Sequence, residues 1–415
     1  MNGRLFVSAI TILVAASAFG VELAENTWPQ WRGPDRTGEI GGGPWPGDLS
    51  ETSLTQQWSV KLGKSYSGPI VDRDRVYLTE SVGTNETAIA LDRKTGQRVW
   101  RAEWPGSMSV PFFAMSNGSW IRSTPALADG RLYVAGMRDV LVCLNAETGD
   151  EVWRVDFPKE HGSALPTFGF VASPLVHNGF VYVQAGACFA KLNAATGEIA
   201  WQTLKDGGGM GGSAFSSPII ATIAGREQLV VQGRKRLSGV DIETGKELWG
   251  VDVPAFRGMN ILTPTIIGDS VFTSSYGGGS FLFDISRNGD SWNASERWAN
   301  KREGYMSSPI VKDGRIYLHM RNQRLTCIDV ESGEELWATR PYGKYWSMVA
   351  SGNKILALDQ RGDLYLIAAN PKEFQLLDSR HLSDASTWAH LAVTGDQLHI
   401  RSLSDHAVYQ WKTQD

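Results

Sequence analysis

The run Ala90-Leu91-Asp92-Arg93-Lys94-Thr95-Gly96-Gln97-Arg98-Val99-Trp100 decides the fold. A short apolar stretch ends in an acidic residue, turns tightly through Thr-Gly and closes on a tryptophan. The pattern returns at residues 143–153, with Asn145, Gly149 and Trp153 in the matching places. It returns again at 193–197 with Trp201, at 241–245 with Trp249 and at 329–333 with Trp337. A stretched copy runs from Asp284 to Trp298, and Trp58 follows an incomplete one. A period of roughly 40 to 50 residues carrying strand signals marks a propeller or a solenoid, and it overrides the two or three domains that length alone suggests.

The repeat resolves into four strands. In the copy at 308–337, Ile310-Val311 opens a strand and Asp313-Gly314 makes a hairpin turn, since both residues tolerate positive φ. Residues 316–320 return, 324–329 form a third strand, Glu331-Ser332-Gly333 turns again, and 334–337 make the fourth. Four short antiparallel strands at even spacing form one propeller blade. Blades end near Trp100, Trp153, Trp201, Trp249, Trp298, Trp337 and Leu377. The last unit, about 389–411, has three strands, and residues 56–60 read as a lone fourth. Pairing the two closes an eight-bladed all-β propeller over residues 55–415 and leaves no open edge. Trp58, Trp100, Trp153, Trp201, Trp249, Trp298 and Trp337 are expected to be structural, each packed between neighbouring blades with its indole N–H on a carbonyl.

Residues 1–20 read as a signal peptide, with Arg4 before an apolar stretch at 5–16 and small residues at Ala18 and Gly20. Cleavage after Gly20 is expected, with Ala24 an alternative, followed by an N-terminal extension at 21–54. No cysteine lies there for a lipid anchor, and no later stretch is apolar enough to span a bilayer. The expected location is the periplasm or cell envelope. A net charge of −4 gives no footprint for nucleic acid, and Arg234-Lys235-Arg236 reads as a solvated turn. Three cysteines are too few for a disulfide framework. A monomer is expected.

The pattern Ala-x-Asp-x-x-x-Gly-x-x-x-Trp, met in full at 90–100, resembles the tryptophan-docking motif of the pyrroloquinoline-quinone-type (PQQ-like) repeat. The segment 28–38, Trp-Pro-Gln-Trp-Arg-Gly-Pro-Asp-Arg-Thr-Gly, is similar to an N-terminal signature of such proteins. The resemblance implies one of three things: a quinone- and calcium-dependent dehydrogenase, a protein-binding scaffold like the barrel-assembly lipoprotein, or an exported propeller without an assigned role. The alcohol dehydrogenases of this family carry adjacent cysteines in a disulfide over the quinone, whereas Cys143, Cys188 and Cys327 are never adjacent. Most linkers are short. A quinone site also needs hard-cation oxygen ligands and a general-base carboxylate, and no such cluster stands out where the first strands begin. No metal is therefore expected, and no cofactor; PQQ and calcium belong to the dehydrogenase alternative.

Blade-to-blade connections and strand 2–3 turns share one face of a propeller, and the Asp-Gly and Thr-Gly turns share the other. The longest connections, 101–122, 154–172 and 202–216, define a long-loop face. Its Gly207–Gly212 run is no phosphate loop, because no Gly-Lys-Ser/Thr follows. Counting three residues back from each blade's proline position gives Tyr66, Arg122, Val171, Phe215, Ile261, Met306, Trp346 and Trp388. One residue earlier come Ser65, Ile121, Phe170, Ala214, Asn260, Tyr305, Tyr345 and Thr387. These positions should ring the central channel, with Arg122, Asn260 and His390 as polar members. Such a ring suits a planar ligand, a sugar or an extended peptide, or else it plugs the channel. The resulting expectation is a non-catalytic binding or scaffold protein using this face, with a protein or glycan partner in the envelope. The alternatives are the PQQ- and calcium-dependent dehydrogenase of alcohols or sugars and a carbohydrate-binding propeller.

Overall fold

The computed structural model describes residues 26–41 and 45–412, so the expected signal segment lies outside the described residues. Among the described residues, eight four-stranded antiparallel sheets follow one another along the chain. Blades 1 to 7 span residues 70–105, 126–156, 175–203, 219–252, 265–300, 310–338 and 347–381. Blade 8 takes three strands from 392–411 and its fourth, Leu54–Lys61, from the other end of the chain. That strand pairs antiparallel with Asp405–Trp411, from Leu54 opposite Trp411 to Lys61 opposite Asp405. The eight-bladed ring closed by an N-terminal strand is thus as read from the repeat.

Each element of the repeat has a mechanical cause. Asp92 ends the third strand of blade 1, and its Oδ1 accepts from the N–H groups of Lys94 and Thr95. Asn145 and Asp329 cap their turns in the same way. The glycine that follows has positive φ and lies flat beneath the preceding blade's tryptophan. Trp58 donates to Arg93 O at 3.0 Å, Trp100 to Ala146 O at 2.9 Å and Trp153 to Ala194 O at 3.0 Å. Trp298 donates to Val330 O at 2.7 Å, and Trp337 to Asn370 O at 3.0 Å. Every one of these acceptors belongs to the next blade. Trp201 packs on Gly245 but donates to nothing, because Lys191 Nζ takes the equivalent carbonyl, Ile242 O, at 2.9 Å.

Two seams depart from the pattern. Trp249 donates to Gln228 Oε1 of its own blade at 2.6 Å. Blade 5 offers it no Thr-Gly seat, since strands Gly279–Asn288 and Ser291–Asn300 run on into a long hairpin; Trp292 and Ala294 of that hairpin pack in the cluster around Trp249 instead. Blade 7 has Leu377 in place of the tryptophan. Here the chain's own N-terminal segment seals the joint: Leu49 N donates to Asp378 Oδ2 at 2.7 Å, and Arg380 Nη1 donates to Leu54 O at 2.6 Å.

The hub holds a second belt. The Ser or Thr before four of the prolines accepts from the neighbouring blade's backbone: Gly68 N on Thr124 Oγ1 (2.9 Å), Thr124 N on Ser173 Oγ (3.0 Å), Ser173 N on Ser217 Oγ (2.9 Å) and Thr263 N on Ser308 Oγ (3.2 Å); Thr263 Oγ1 accepts from Trp31 Nε1 at 3.1 Å. Inside this belt runs the segment 28–40. Trp28 bridges to Val71, Leu127 N donates to Pro29 O, and Glu39 pairs with Ala350. Arg32 and Arg36 are buried and reach blades three apart in the ring, Arg32 to Pro309 O at the start of blade 6 and Arg36 to the carbonyls of Ser173 and Pro174 at the start of blade 3. The channel is therefore plugged, chiefly by this crossing segment rather than by the ring of side chains alone.

The seam geometry makes a paired prediction. Gly130 and Gly149 both have positive φ, at 71° and 81°, but a Cβ at Gly130 meets nothing within 4 Å whereas one at Gly149 would lie 2.7 Å from the Trp100 ring. Gly130→Ala should cost about 1 kcal/mol, the price of left-handed backbone. Gly149→Ala should cost about 2–4 kcal/mol because the tryptophan must also shift. Urea midpoints check this, and equal costs would contradict the docking role.

Candidate functional site

Above the plug, on the long-loop face, lies a cavity of about 320 Å³. All eight residues of the first counted series line it: Tyr66, Arg122, Val171, Phe215, Ile261, Met306, Trp346 and Trp388. They converge because each sits where a blade's innermost strand begins, and the hydroxyl belt holds those beginnings at one height. Of the second series only Tyr305 and Tyr345 reach the cavity; Ser65, Ile121, Phe170, Ala214 and Thr387 are buried behind it. His390 lines it from blade 8, and its Nδ1 lies 2.8 Å from Leu391 O. Asn260 does not. It is buried beneath the blade 4–5 connection, where Nδ2 donates to Arg234 O and Val253 O, both at 3.1 Å. Lining residues outside both series include Trp31 from the plug, which meets His390 edge-on at 4.9 Å, and Phe113 and Phe168 from the two longest connections. The aromatic content of residues 101–122 signals Phe113; nothing local signals Trp31.

The walls are rings in mutual contact. Tyr66 stacks on Trp388 at 4.7 Å, Tyr345 meets Trp388 at 4.4 Å, and Tyr305 meets Tyr345 at 6.0 Å. On the other side Phe168 bridges Phe113 and Phe215. Trp346 is buried between His319 and Tyr365, and its indole N–H has no protein acceptor. Arg122 is the one charged residue in the lining; its Nη2 donates to Gly118 O at 2.6 Å and its Nε to nothing. Burial pushes the Tyr66 phenol up to about 12 and the His390 imidazole down to about 3, so both stay neutral at physiological pH.

This lining does not fit a calcium–quinone pair. It offers hydroxyls, one guanidinium, one buried imidazole and aromatic rings, but no carboxylate to ligate a hard cation or to act as base. Among the described residues no three His, Cys, Asp or Glu side chains come together as a metal-binding group. Cys143, Cys188 and Cys327 are free and buried, and burial pushes their thiols up to about 12, 12 and 11, so they are poor nucleophiles.

The solvated-turn reading of residues 234–236 needs correction. Lys235 and Arg236 are exposed, and Arg236 pairs with Glu247 and Asp252. Arg234 is 6 % exposed and lies over the Phe215 ring at 4.2 Å, because the 202–216 connection folds down across it.

Architecture and site together define an eight-bladed repeat propeller with a plugged hub and an aromatic mouth. The chain belongs to the family described as outer membrane protein assembly factor BamB, whose model matches residues 47–102 and 84–339. It is 25 % identical over 312 residues to outer membrane protein assembly factor BamB of Yersinia pestis, covering 71 % of this chain and 73 % of that one. It is 24 % identical to quinohemoprotein alcohol dehydrogenase ADH-IIG of Pseudomonas putida, over 75 % of this chain but 38 % of the enzyme. The crystal structure of BamB from Moraxella catarrhalis matches its fold with a TM-score of 0.63 at 17 % identity, over 87 % of this chain and 99 % of that one.

Two buried carboxylates hold the loops of this mouth. Glu86 accepts from Trp104 Nε1 at 3.1 Å and Met137 N at 2.8 Å, at the root of the connection that carries Phe113. Asp139 accepts from Gly186 N at 2.8 Å one seam further on. Burial pushes both carboxyls up to about 7. Between the ordinary value of Glu, 4.5, and about 7, the native protein holds a proton that the unfolded chain has released. This contribution therefore favours folding at acid pH and is lost as pH rises through 7. Glu86→Gln removes the titration. Its stability relative to wild type should climb by about 2–3 kcal/mol between pH 5 and pH 8 in urea unfolding; a pH-independent difference would contradict the assignment.

Proposed function

We propose that the chain is an exported, non-catalytic scaffold of the bacterial cell envelope that binds a partner protein through its long-loop face, in outer membrane protein assembly as the name of its relatives describes. One observation carries this reading. Phe112, Phe113, Met115, Leu165, Met210 and Phe256 are all exposed, from 40 % for Leu165 to 89 % for Phe112, and all lie on successive connections of one face. Exposed large apolar side chains gathered on one face mark an interaction site. The hub plug and the carboxylate-free cavity support the same reading, since they leave the chain surface for contact and no acid–base machinery at the centre. No helix among the described residues is long and apolar enough to cross a membrane.

The test is genetic. Deleting the gene in the host bacterium should lower the amount of β-barrel protein in its outer membrane. Wild type should restore it. A Phe113→Ser/Met210→Ser/Phe256→Ser variant, changed only at exposed positions, should fold by circular dichroism and fail to restore it. Unaltered barrel levels after deletion would contradict the proposal.

A further inference from the structure

Beside the aromatic cavity runs a second, larger groove of about 990 Å³ on the blade 4–5 side of the same face. Phe113, Phe168 and Met259 line both, so the two are continuous. Met210 and Pro254 add apolar wall, and Arg234, Lys235 and Arg257 add positive charge. Its one acid, Asp252, is engaged by Arg236 at 3.2 Å.

Arg234 is the unusual member. Its Nη2 donates to Arg257 O at 2.8 Å and Met210 O at 3.3 Å, which ties two rim loops together. Its Nε and Nη1 are buried and have no acceptor in the protein. Asp206 carries the nearest opposing field, but its oxygens serve Gly208 N and Ser213 N at 2.8 and 2.7 Å. A buried guanidinium with no carboxylate in contact is costly, and a carboxylate entering the groove to meet its unpartnered donors would offset that cost through charge-assisted hydrogen bonds. A neutral glycan would leave it uncompensated.

We infer that this groove takes an extended segment of the partner protein in which an aspartate or glutamate side chain meets Arg234 and a neighbouring bulky apolar side chain enters the aromatic cavity. The inference rests on the reading that the long-loop face binds protein, and it names the chemistry of what is bound. Arg122, equally without a carboxylate, adds to the attraction for an acidic segment at the cavity end.

The experiment pans a library of random dodecapeptides, fused through their C-termini to a phage coat protein so that no terminal carboxylate is free, on the purified mature chain. Selected sequences should pair Asp or Glu with an adjacent aromatic, Leu or Met. Acetylated, amidated peptides from that pool should bind Arg234→Gln at least tenfold more weakly than wild type, with Arg234→Lys recovering part of the loss. Because Arg234 also ties two loops, a Lys235→Glu/Arg257→Glu variant, altered only at exposed positions, should show the same direction of loss with an unchanged melting temperature. Selected peptides that lack acids, or that bind these variants as well as wild type while losing affinity for Phe113→Ser, would overturn this inference and leave the protein-binding reading standing. Failure to select any sequence would also overturn it.

Discussion

The seat of one blade's tryptophan on the next blade's glycine is the contact on which the ring depends. A sheet of four short strands has two apolar faces and no means of covering either alone. The Thr-Gly turn solves this locally. The Asx side chain fixes the turn, the glycine presents a flat surface, and the first turn carbonyl faces outward to accept the indole N–H. Burying an indole at each seam contributes on the order of 5 kcal/mol before entropic costs. The seams without this contact show how much is needed. Between blades 4 and 5 a lengthened hairpin brings Trp292 to Trp249, and between blades 7 and 8 the N-terminal segment brings Leu49 and Leu54.

This division of labour assigns the two faces. Asx turns and tryptophan seats occupy the turn face, where the turn carbonyls are committed to the neighbouring blade's indole. The hub is committed too, first to the hydroxyl belt and then to the crossing segment, with Arg32 and Arg36 spanning it. The long-loop face gathers uncommitted chemistry in one place: exposed Phe112, Phe113 and Met210, an indole N–H on Trp346 without acceptor, and two arginines, 122 and 234, without a carboxylate. A surface with large apolar groups and unanswered donors is suited to a partner that brings acceptors and apolar anchors of its own.

Much of this was legible in the chain. Blade number, ring closure and the eight cavity residues follow from counting, because a repeat converts sequence position into height on the axis and register in the sheet. The rest was not, for physical reasons. Residues 28–40 have no periodicity, and nothing local records that they cross a ring whose contacts with them run from Val71 to Ala350. Asn260 counts as a lining residue, but the backbone turns through Arg257 at a φ of 51° and tucks the amide under Arg234. Arg234 itself reads as solvated among three basic residues, and only the 202–216 connection, packing Phe215 across it, buries it. Local pattern predicts repeat positions; it does not predict what a long loop covers.

We place the working surface of this propeller on its long-loop face. Photo-crosslinking in living cells tests it most directly, with p-benzoylphenylalanine placed singly at Phe113, Met210 and Phe256 on that face and at Gln97, Asp150 and Glu334 on the turn face. Light-dependent adducts of one defined mass are expected from the first three positions and none from the others. Adducts from the turn face, with none from the long-loop face, would contradict it.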